Sequence, residues 1–299
     1  MSEIQSTQKR SILAQIFLSP EEPRLRAGWR LLIQTVLYIV LQILFFIALS
    51  LFGPIDPSTR SIPLQILNFL ATTISVFAAR RWLDKRSIES LGLKLDHNTG
   101  VDVLVGIGIS AVQMGFIYVV MLGLGWLTFE GFAWEVDPVA VVIGNVLLFF
   151  VIFVFVGWNE ELLSRGYHLQ NLASGINMFW AVVISSAVFG LLHLANPNAT
   201  WVSAAGIFFA GVFLAYGYLR TKRLWLPIGL HIGWNFFEGV GFGFPVSGLD
   251  DIYRLLRIQV HGPELWTGGA FGPEAGLIVL PALILGAVLI YLFTQRRAV

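Results

Sequence analysis

The chain has 299 residues, of which 56% are hydrophobic and only 12% are charged, and its mean hydropathy is +0.76. This apolar content is more than one soluble core can bury, so the composition excludes an ordinary soluble domain and indicates a polytopic membrane protein. A net charge of +1 gives no reason to expect nucleic acid as a partner, and the lack of cysteine excludes disulfides, thiolate nucleophiles and cysteine metal ligands.

Eight apolar segments follow one another along the chain, and each is long enough to cross about 30 Å of hydrocarbon as a helix. Lipid offers no partner for unpaired backbone groups, and no segment alternates as barrel strands do, so helices are expected. The predicted fold is all-α, a polytopic transmembrane helical bundle with about eight spans. The spans are predicted at roughly 29–52, 62–82, 101–127, 139–160, 177–196, 200–219, 224–243 and 274–293.

The basic residues predict the orientation of these spans. Of 19 lysines and arginines, fifteen fall in the connections and ends on one side, whereas only Arg60, Arg254 and Arg257 fall on the other. Positive charge favours the cytoplasmic side, so both termini are predicted there, in a multi-pass plasma membrane protein. We expect residues 1–28 to form a polar cytoplasmic tail without signal-peptide features and 29–299 a single membrane domain, with 244–273 as its long external connection.

Ionisable residues interrupt three of the apolar segments. Glu160 and Glu161 follow about twenty apolar residues, where a charged side chain costs at least ~2.5–3.5 kcal/mol on insertion scales. His193 lies in the next span, and His231 and Asn235 share a helix face because they are four residues apart. Taken singly, the two glutamates could mark a solvated end of a helix, and His193 could be a buried histidine satisfied by one hydrogen bond. His231 and Asn235 could be a polar pair that bridges two helices. Together they indicate one polar site.

Three motifs in these segments resemble those of the CAAX protease and bacteriocin-processing (Abi) family of intramembrane endopeptidases. The resemblance covers roughly residues 139–240, and the flanking spans do not select a subfamily. In chain order the motifs are Glu160-Glu161-x-x-x-Arg165-Gly166, Phe189-x-x-x-His193 and His231-x-x-x-Asn235.

The resemblance implies peptide hydrolysis with Glu160 and His193 activating a water while His231 and Asn235 stabilise the oxyanion. Glu161, the fifth residue of the predicted catalytic set, would be held by Arg165, with Phe189 packing beside His193 as a supporting residue. No cofactor is favoured, because the sequence has no His-Glu-x-x-His helix and Asn235 is a poor zinc ligand. The alternative is a catalytic zinc ion bound by Glu160, His193 and His231.

The expected partners are the lipid bilayer and a peptide or lipidated protein cut at the membrane. Family members trim CAAX tails or act in bacterial peptide maturation and bacteriocin immunity, so the natural substrate is open. Two other classes remain, a proton-coupled transporter, because intramembrane Glu and His also form proton relays, and a non-catalytic scaffold or immunity protein. In straight helices Glu160, His193 and His231 would lie at different depths, so residues 162–174 are predicted to be bent or partly interfacial. Tyr167, His168 and Glu238 are expected to be interface or supporting groups.

Overall fold

The computed structural model of the protein describes residues 11–51 and 61–295, and it is a bundle of α-helices. Most helices are long and apolar, as the sequence predicted. A π-helical stretch extends α3, joins α5 to α6 and extends α9. The α-helices are α1 Ile12–Phe17, α2 Ala27–Ser50, α3 Ser61–Ala78, α4 His97–Gly123, α5 Val139–Glu161, α6 Leu169–Gly175, α7 Met178–Leu192, α8 Trp201–Thr221, α9 Trp225–Asn235, α10 Glu264–Thr267 and α11 Val279–Gln295.

Six helices of the described part are long and apolar enough to cross a membrane, and α11 is a shorter apolar helix. The all-α membrane bundle is therefore confirmed, and the protein is an integral membrane protein. The segment predicted at 224–243 is helical too, as α9 and its π-helical extension Phe236–Gly241. The number of eight spans and the cytoplasmic position of both termini stay predictions.

The helix that begins with α5 is continuous from Val139 to Gly175, because π-helical residues Leu162–His168 link it to α6. It has 37 residues, whereas about 20 suffice to cross the hydrocarbon core. Its last turns must therefore extend beyond the hydrocarbon core, or the helix must be tilted from the membrane normal. The change of helix type coincides with the start of the segment that was expected to be bent or interfacial.

Glycines bring α9 unusually close to α4. A Cβ atom on Gly229 would lie 2.3 Å from the carbonyl oxygen of Val103, and one on Gly233 would lie 2.7 Å from the Cα of Ile107. From the other side, a Cβ on Gly106 would lie 2.5 Å from the backbone nitrogen of Leu230. Such close contact between small residues is a common way to pack helices in lipid, where no hydrophobic force drives them together. It fixes the position of the helix that carries His231.

Two short strands were not predicted. β1 (Leu127–Phe132) pairs antiparallel with β2 (Leu256–Val260), with Leu127 opposite Val260 and Phe132 opposite Leu256. The register shifts at Gly131, whose φ is 135°, a backbone conformation that glycine adopts readily. The connection 244–273, which was predicted only as a long external connection, is therefore partly ordered by pairing with the α4–α5 connection.

A buried charge cluster fastens the described part of the N-terminal stretch to the bundle. Asp84 is 1% exposed and accepts hydrogen bonds from Arg30 Nη1 at 2.7 Å and Arg80 Nη1 at 2.9 Å. Arg24, within the predicted tail, is also buried and donates to the backbone oxygen of Asp84. These contacts connect α2 with the end of α3 and with the segment before α2, because burying such charges requires that they be paired.

Candidate active site

The structure brings together the polar residues of the three motifs. Glu160 lies at the end of α5, His193 directly after α7, and His231 and Asn235 on α9. All four side chains line one cavity of about 360 Å³ inside the bundle. Close packing of α5 on α9 allows this, since a Cβ on Gly157 would lie 2.8 Å from a side-chain carbon of Ile232.

The Glu160 carboxylate lies between two imidazole rings. Its Oε2 is 3.7 Å from Nε2 of His231 and 3.8 Å from Nε2 of His193. Both distances are too long for direct hydrogen bonds, and Oε2 is buried without a hydrogen-bond partner although the side chain as a whole is 33% exposed. Three polar atoms thus converge at distances that one small polar group between them would bridge.

Glu161 points away from this centre and forms a buried charge cluster. Its Oε1 accepts a hydrogen bond from Arg165 Nη1 at 2.7 Å and lies 2.8 Å from Nδ1 of His231. Arg165 Nη2 also donates to the backbone oxygen of Gly211 at 3.1 Å. The four-residue spacing predicted the pair of Glu161 with Arg165, but the contact of the same carboxylate with a histidine of the site was not predicted.

The partners of the two histidines set their tautomers. Nδ1 of His231 faces a carboxylate, and Nδ1 of His193 lies 2.8 Å from the backbone oxygen of Phe189. Carboxylate and carbonyl oxygens only accept hydrogen bonds, so Nδ1 carries the proton in both rings. In a neutral ring Nε2 is then an acceptor, and in a protonated ring it is a donor. Each histidine thus directs its adjustable nitrogen toward Glu160.

Phe189 packs against the histidines and Arg165 at once. Its ring centroid lies 4.8 Å from that of His193 and 6.3 Å from that of His231, and the rings of Phe189 and His231 are perpendicular. The Arg165 guanidinium lies 4.4 Å above the same ring, a favourable cation–π distance. The aromatic side chain therefore shields the charge cluster and restrains both imidazoles.

Several cavity residues were missed by sequence analysis. Glu274 is 5% exposed and accepts a hydrogen bond from Trp234 Nε1 at 3.0 Å and another from the Ser247 hydroxyl. It follows a loop rich in glycine, and no local spacing marks it as part of the site. Asn159 precedes the motif glutamates and is 2% exposed. The other polar lining residues outside the motifs are Tyr38 of α2, Asn68 and Thr72 of α3, Ser164 and Asn196.

The three weaker candidates lie outside the cavity lining. Tyr167 is fully buried in the apolar core, and His168 lies 3.3 Å from the Gln34 side-chain oxygen. Glu238 is fully buried, and a Cβ on Gly272 would lie 3.3 Å from its carboxylate. Tyr167 and His168 are thus residues of the bundle interior, and Glu238 is buried on the π-helical extension of α9.

Glu160, His193 and His231 are residue types that bind zinc. The Nδ1 atom of each ring is held by an oxygen atom, as is common for histidines that bind a metal. As the side chains stand, however, no group of three His, Asp or Glu residues in 11–51 and 61–295 is arranged to hold a metal ion. The separations of 3.7 and 3.8 Å between Glu160 Oε2 and the two Nε2 atoms are a few tenths of an ångström longer than the roughly 3.3 Å between ligand atoms of a tetrahedral zinc ion, so small side-chain shifts would be needed to hold one.

Comparison with known proteins finds relatives of the central part of the chain. Residues 142–237 match the family model described as type II CAAX prenyl endopeptidase Rce1-like. A protein of Bacillus subtilis (strain 168), "Putative membrane peptidase YdiL", is 33% identical over 112 residues, which are 38% of this chain and 41% of that protein. The chain thus aligns with less than half the length of this curated relative. The resemblance of the central region to CAAX proteases, which the three motifs predicted, is confirmed for residues 142–237.

Proposed function

We propose that this protein is an intramembrane endopeptidase that hydrolyses a peptide bond of a membrane-associated peptide or protein. One observation carries the proposal: Glu160 Oε2 lies between the Nε2 atoms of His193 and His231 at 3.8 and 3.7 Å. The matching family model and the name of the bacterial relative support the same activity. The site lies within the helix bundle, so the substrate must enter from the lipid or along the bundle.

Glu160 acts as the general base. A water molecule between Glu160 and His193 donates one hydrogen to the carboxylate and the other to Nε2 of neutral His193, which leaves an oxygen lone pair free for attack. Glu160 takes the proton as the water oxygen bonds to the substrate carbonyl carbon. General-base catalysis of this kind typically contributes about 10²–10⁴-fold in rate.

His231 and Asn235 stabilise the oxyanion that forms. Nδ1 of His231 already donates to Glu161, so its Nε2 donates a hydrogen bond only when the ring is protonated. The Glu161 carboxylate lies against Nδ1, and its negative charge stabilises positive charge on the ring. The Asn235 amide supplies a second, neutral donor. Donors of this type each contribute roughly 10²–10³-fold to turnover.

The proton abstracted from water completes the reaction. Collapse of the tetrahedral intermediate breaks the carbon–nitrogen bond, and the leaving amine takes the proton that Glu160 received. Glu160 returns to its carboxylate form, and the products are a new carboxylic acid and a new amine, which become a carboxylate and an ammonium when the proton of the acid passes to the amine. The atoms balance without any further reactant.

Zinc-dependent hydrolysis is the alternative mechanism. Glu160, His193 and His231 would hold the ion, which would supply Lewis-acid activation of water. We favour the metal-independent form, because the oriented hydrogen-bonding atoms described above are sufficient for it. The substrate class follows from the proposed family: a CAAX-type tail of a lipidated protein, or a peptide matured at a bacterial membrane.

The decisive experiment measures cleavage of a fluorogenic membrane peptide by purified protein in detergent. Glu160→Gln should keep the fold, because the amide occupies the same volume, and should reduce turnover to background. His193→Ala, at a partly exposed ring, should lose about 10²–10⁴-fold. Wild-type turnover by the Glu160→Gln variant would rule out the mechanism. Absence of cleavage by the wild type across peptides and lipidated peptides would favour a transporter or a binding protein instead.

A further inference from the structure

Asn159 is a buried amide without a partner. It is 2% exposed, and neither its side-chain oxygen nor its nitrogen has a hydrogen-bond partner. It lines the cavity next to Glu160. Buried amides are nearly always paired, because an unpaired one has lost its hydrogen bonds to water without replacement. Because Asn159 lines the cavity, a polar group of a ligand bound there is the partner available to this amide.

A second amide lines the same cavity from α3. Asn68 Oδ1 accepts hydrogen bonds from Tyr38 at 2.9 Å, from Gln42 at 2.8 Å and from Thr72 at 3.3 Å. Its two amide N–H groups take part in none of these bonds. The three bonds fix the orientation of the side chain, so Asn68 is a preorganised donor.

The two amides lie on adjoining walls. Helix α5 packs on α3 beside them, since the rings of Phe69 and Phe155 are 5.2 Å apart and Trp158 Nε1 donates to Thr73 Oγ1 at 2.9 Å. Residue 159 lies between the α3-facing side of α5 and the side that carries Glu160, given 100° per helical residue. Among the described residues that line the cavity there is no lysine or arginine, which argues against a lipid phosphate as the ligand of the two amides.

We propose that Asn159 and Asn68 form a subsite that binds the main chain of an extended peptide segment and positions it beside Glu160. An amide side chain offers one acceptor and two donors, which complement the N–H and C=O groups of a peptide. Within a membrane an extended peptide has no water to satisfy these groups, so the protein must pair them. The inference deepens the proposed function, and it assigns recognition here to the substrate backbone rather than to particular side chains.

The test measures binding rather than cleavage, so that it is independent of turnover. The Glu160→Gln protein in detergent is titrated into a fluorescein-labelled, end-capped apolar peptide and into the same peptide with alternate backbone amides N-methylated. Anisotropy gives Kd for each. We expect the unmethylated peptide to bind about 3- to 10-fold tighter, the effect of one or two hydrogen bonds. Adding Asn159→Leu should remove most of that preference.

Asn145→Leu is the matched control, because Asn145 lies on the same helix, outside the cavity lining, with its amide bonded to the Val141 oxygen. It should leave the preference unchanged.

Asn159→Leu should also raise the unfolding temperature, since it removes an unpaired buried amide, whereas a structural role would lower it. An equal preference with and without Asn159, or no preference in the parent protein, overturns the inference. A preference that depends on Asn159 in a protein whose wild type cleaves nothing overturns only the proposed function.

Discussion

Nδ1 of His231 lies 2.8 Å from Oε1 of Glu161, and the same oxygen accepts a hydrogen bond from Arg165. The second glutamate of the motif is therefore tied to the histidine that faces the first. Glu161 is fully buried, so its charge acts on both partners with little screening by solvent. The two adjacent acids thus have different surroundings: Glu161 is held between His231 and Arg165, whereas Glu160 remains partly accessible.

Replacing Arg165 with methionine should destabilise the protein strongly. Methionine is also long and unbranched but carries no charge, so the substitution leaves the Glu161 carboxylate with only His231 as a partner. Breaking a buried ion pair in this way typically costs about 3–5 kcal/mol. Thermal unfolding in detergent measures the loss. The double variant Glu161→Gln/Arg165→Met should recover part of the stability but not activity, because His231 then lacks its carboxylate. Wild-type stability of Arg165→Met would contradict the buried pair.

Two glycines of α4 should respond oppositely to alanine. A Cβ on Gly106 would lie 2.5 Å from the backbone nitrogen of Leu230, whereas one on Gly108 would meet nothing within 4 Å. Gly106→Ala should therefore push α9 away and cost roughly 1–3 kcal/mol, as overpacking does. It should also reduce activity, because His231 follows Leu230. Gly108→Ala should stabilise by up to about 1 kcal/mol, from helix propensity. Equal unfolding temperatures for the two variants would argue against the close approach of α4 and α9.

Chelation should leave activity intact. We expect peptide cleavage to survive prolonged treatment with EDTA and 1,10-phenanthroline, and elemental analysis of the purified protein to find zinc well below one equivalent, because Glu160 and His193 suffice to activate water. Turnover that disappears on chelation and returns on adding zinc would instead establish the metal mechanism with Glu160, His193 and His231 as ligands. The Glu160→Gln variant, treated in parallel, controls for contaminating proteases.

Stability should fall in acid partly through one ion pair at the start of α4. Arg223 donates to both carboxylate oxygens of Asp96 at 2.9 Å, and these hydrogen bonds hold the pKa of Asp96 below its usual range. Because the folded pKa is depressed, this contribution is fully present above about pH 4, the ordinary aspartate value, and is lost as the pH falls through the folded pKa.

The variant Asp96→Asn should therefore show a shallower decline of unfolding temperature between about pH 5 and pH 3. Asparagine still caps the helix N-terminus, so a loss of capping does not confuse the comparison. The unfolding temperature of the variant should be lower than that of the wild type at neutral pH, and the two curves should converge in acid. Parallel curves would show that Asp96 carries none of the pH dependence.

Much of the site could be predicted because its chemistry conflicts with its surroundings. Charged and polar residues in apolar helices are costly, so Glu160, His193 and His231 stand out, and helical spacing pairs Glu161 with Arg165. Asn159 and Glu274 could not be found in this way. An asparagine within a helix and a glutamate after a glycine-rich loop are ordinary in a sequence. Only their burial beside the cavity marks them as candidates for the site.

The sequence by itself determined the membrane environment, the helical class and the residues of the motifs, because hydrocarbon imposes length, apolarity and backbone pairing on each segment separately. Only the tertiary structure decided which polar atoms meet. The link from Glu161 to His231, the pairing of β1 with β2 and the cavity wall formed by Tyr38 and Asn68 all join residues far apart in the chain. Such contacts depend on how helices approach one another, and that approach is set by glycines and packing shapes that no local pattern encodes.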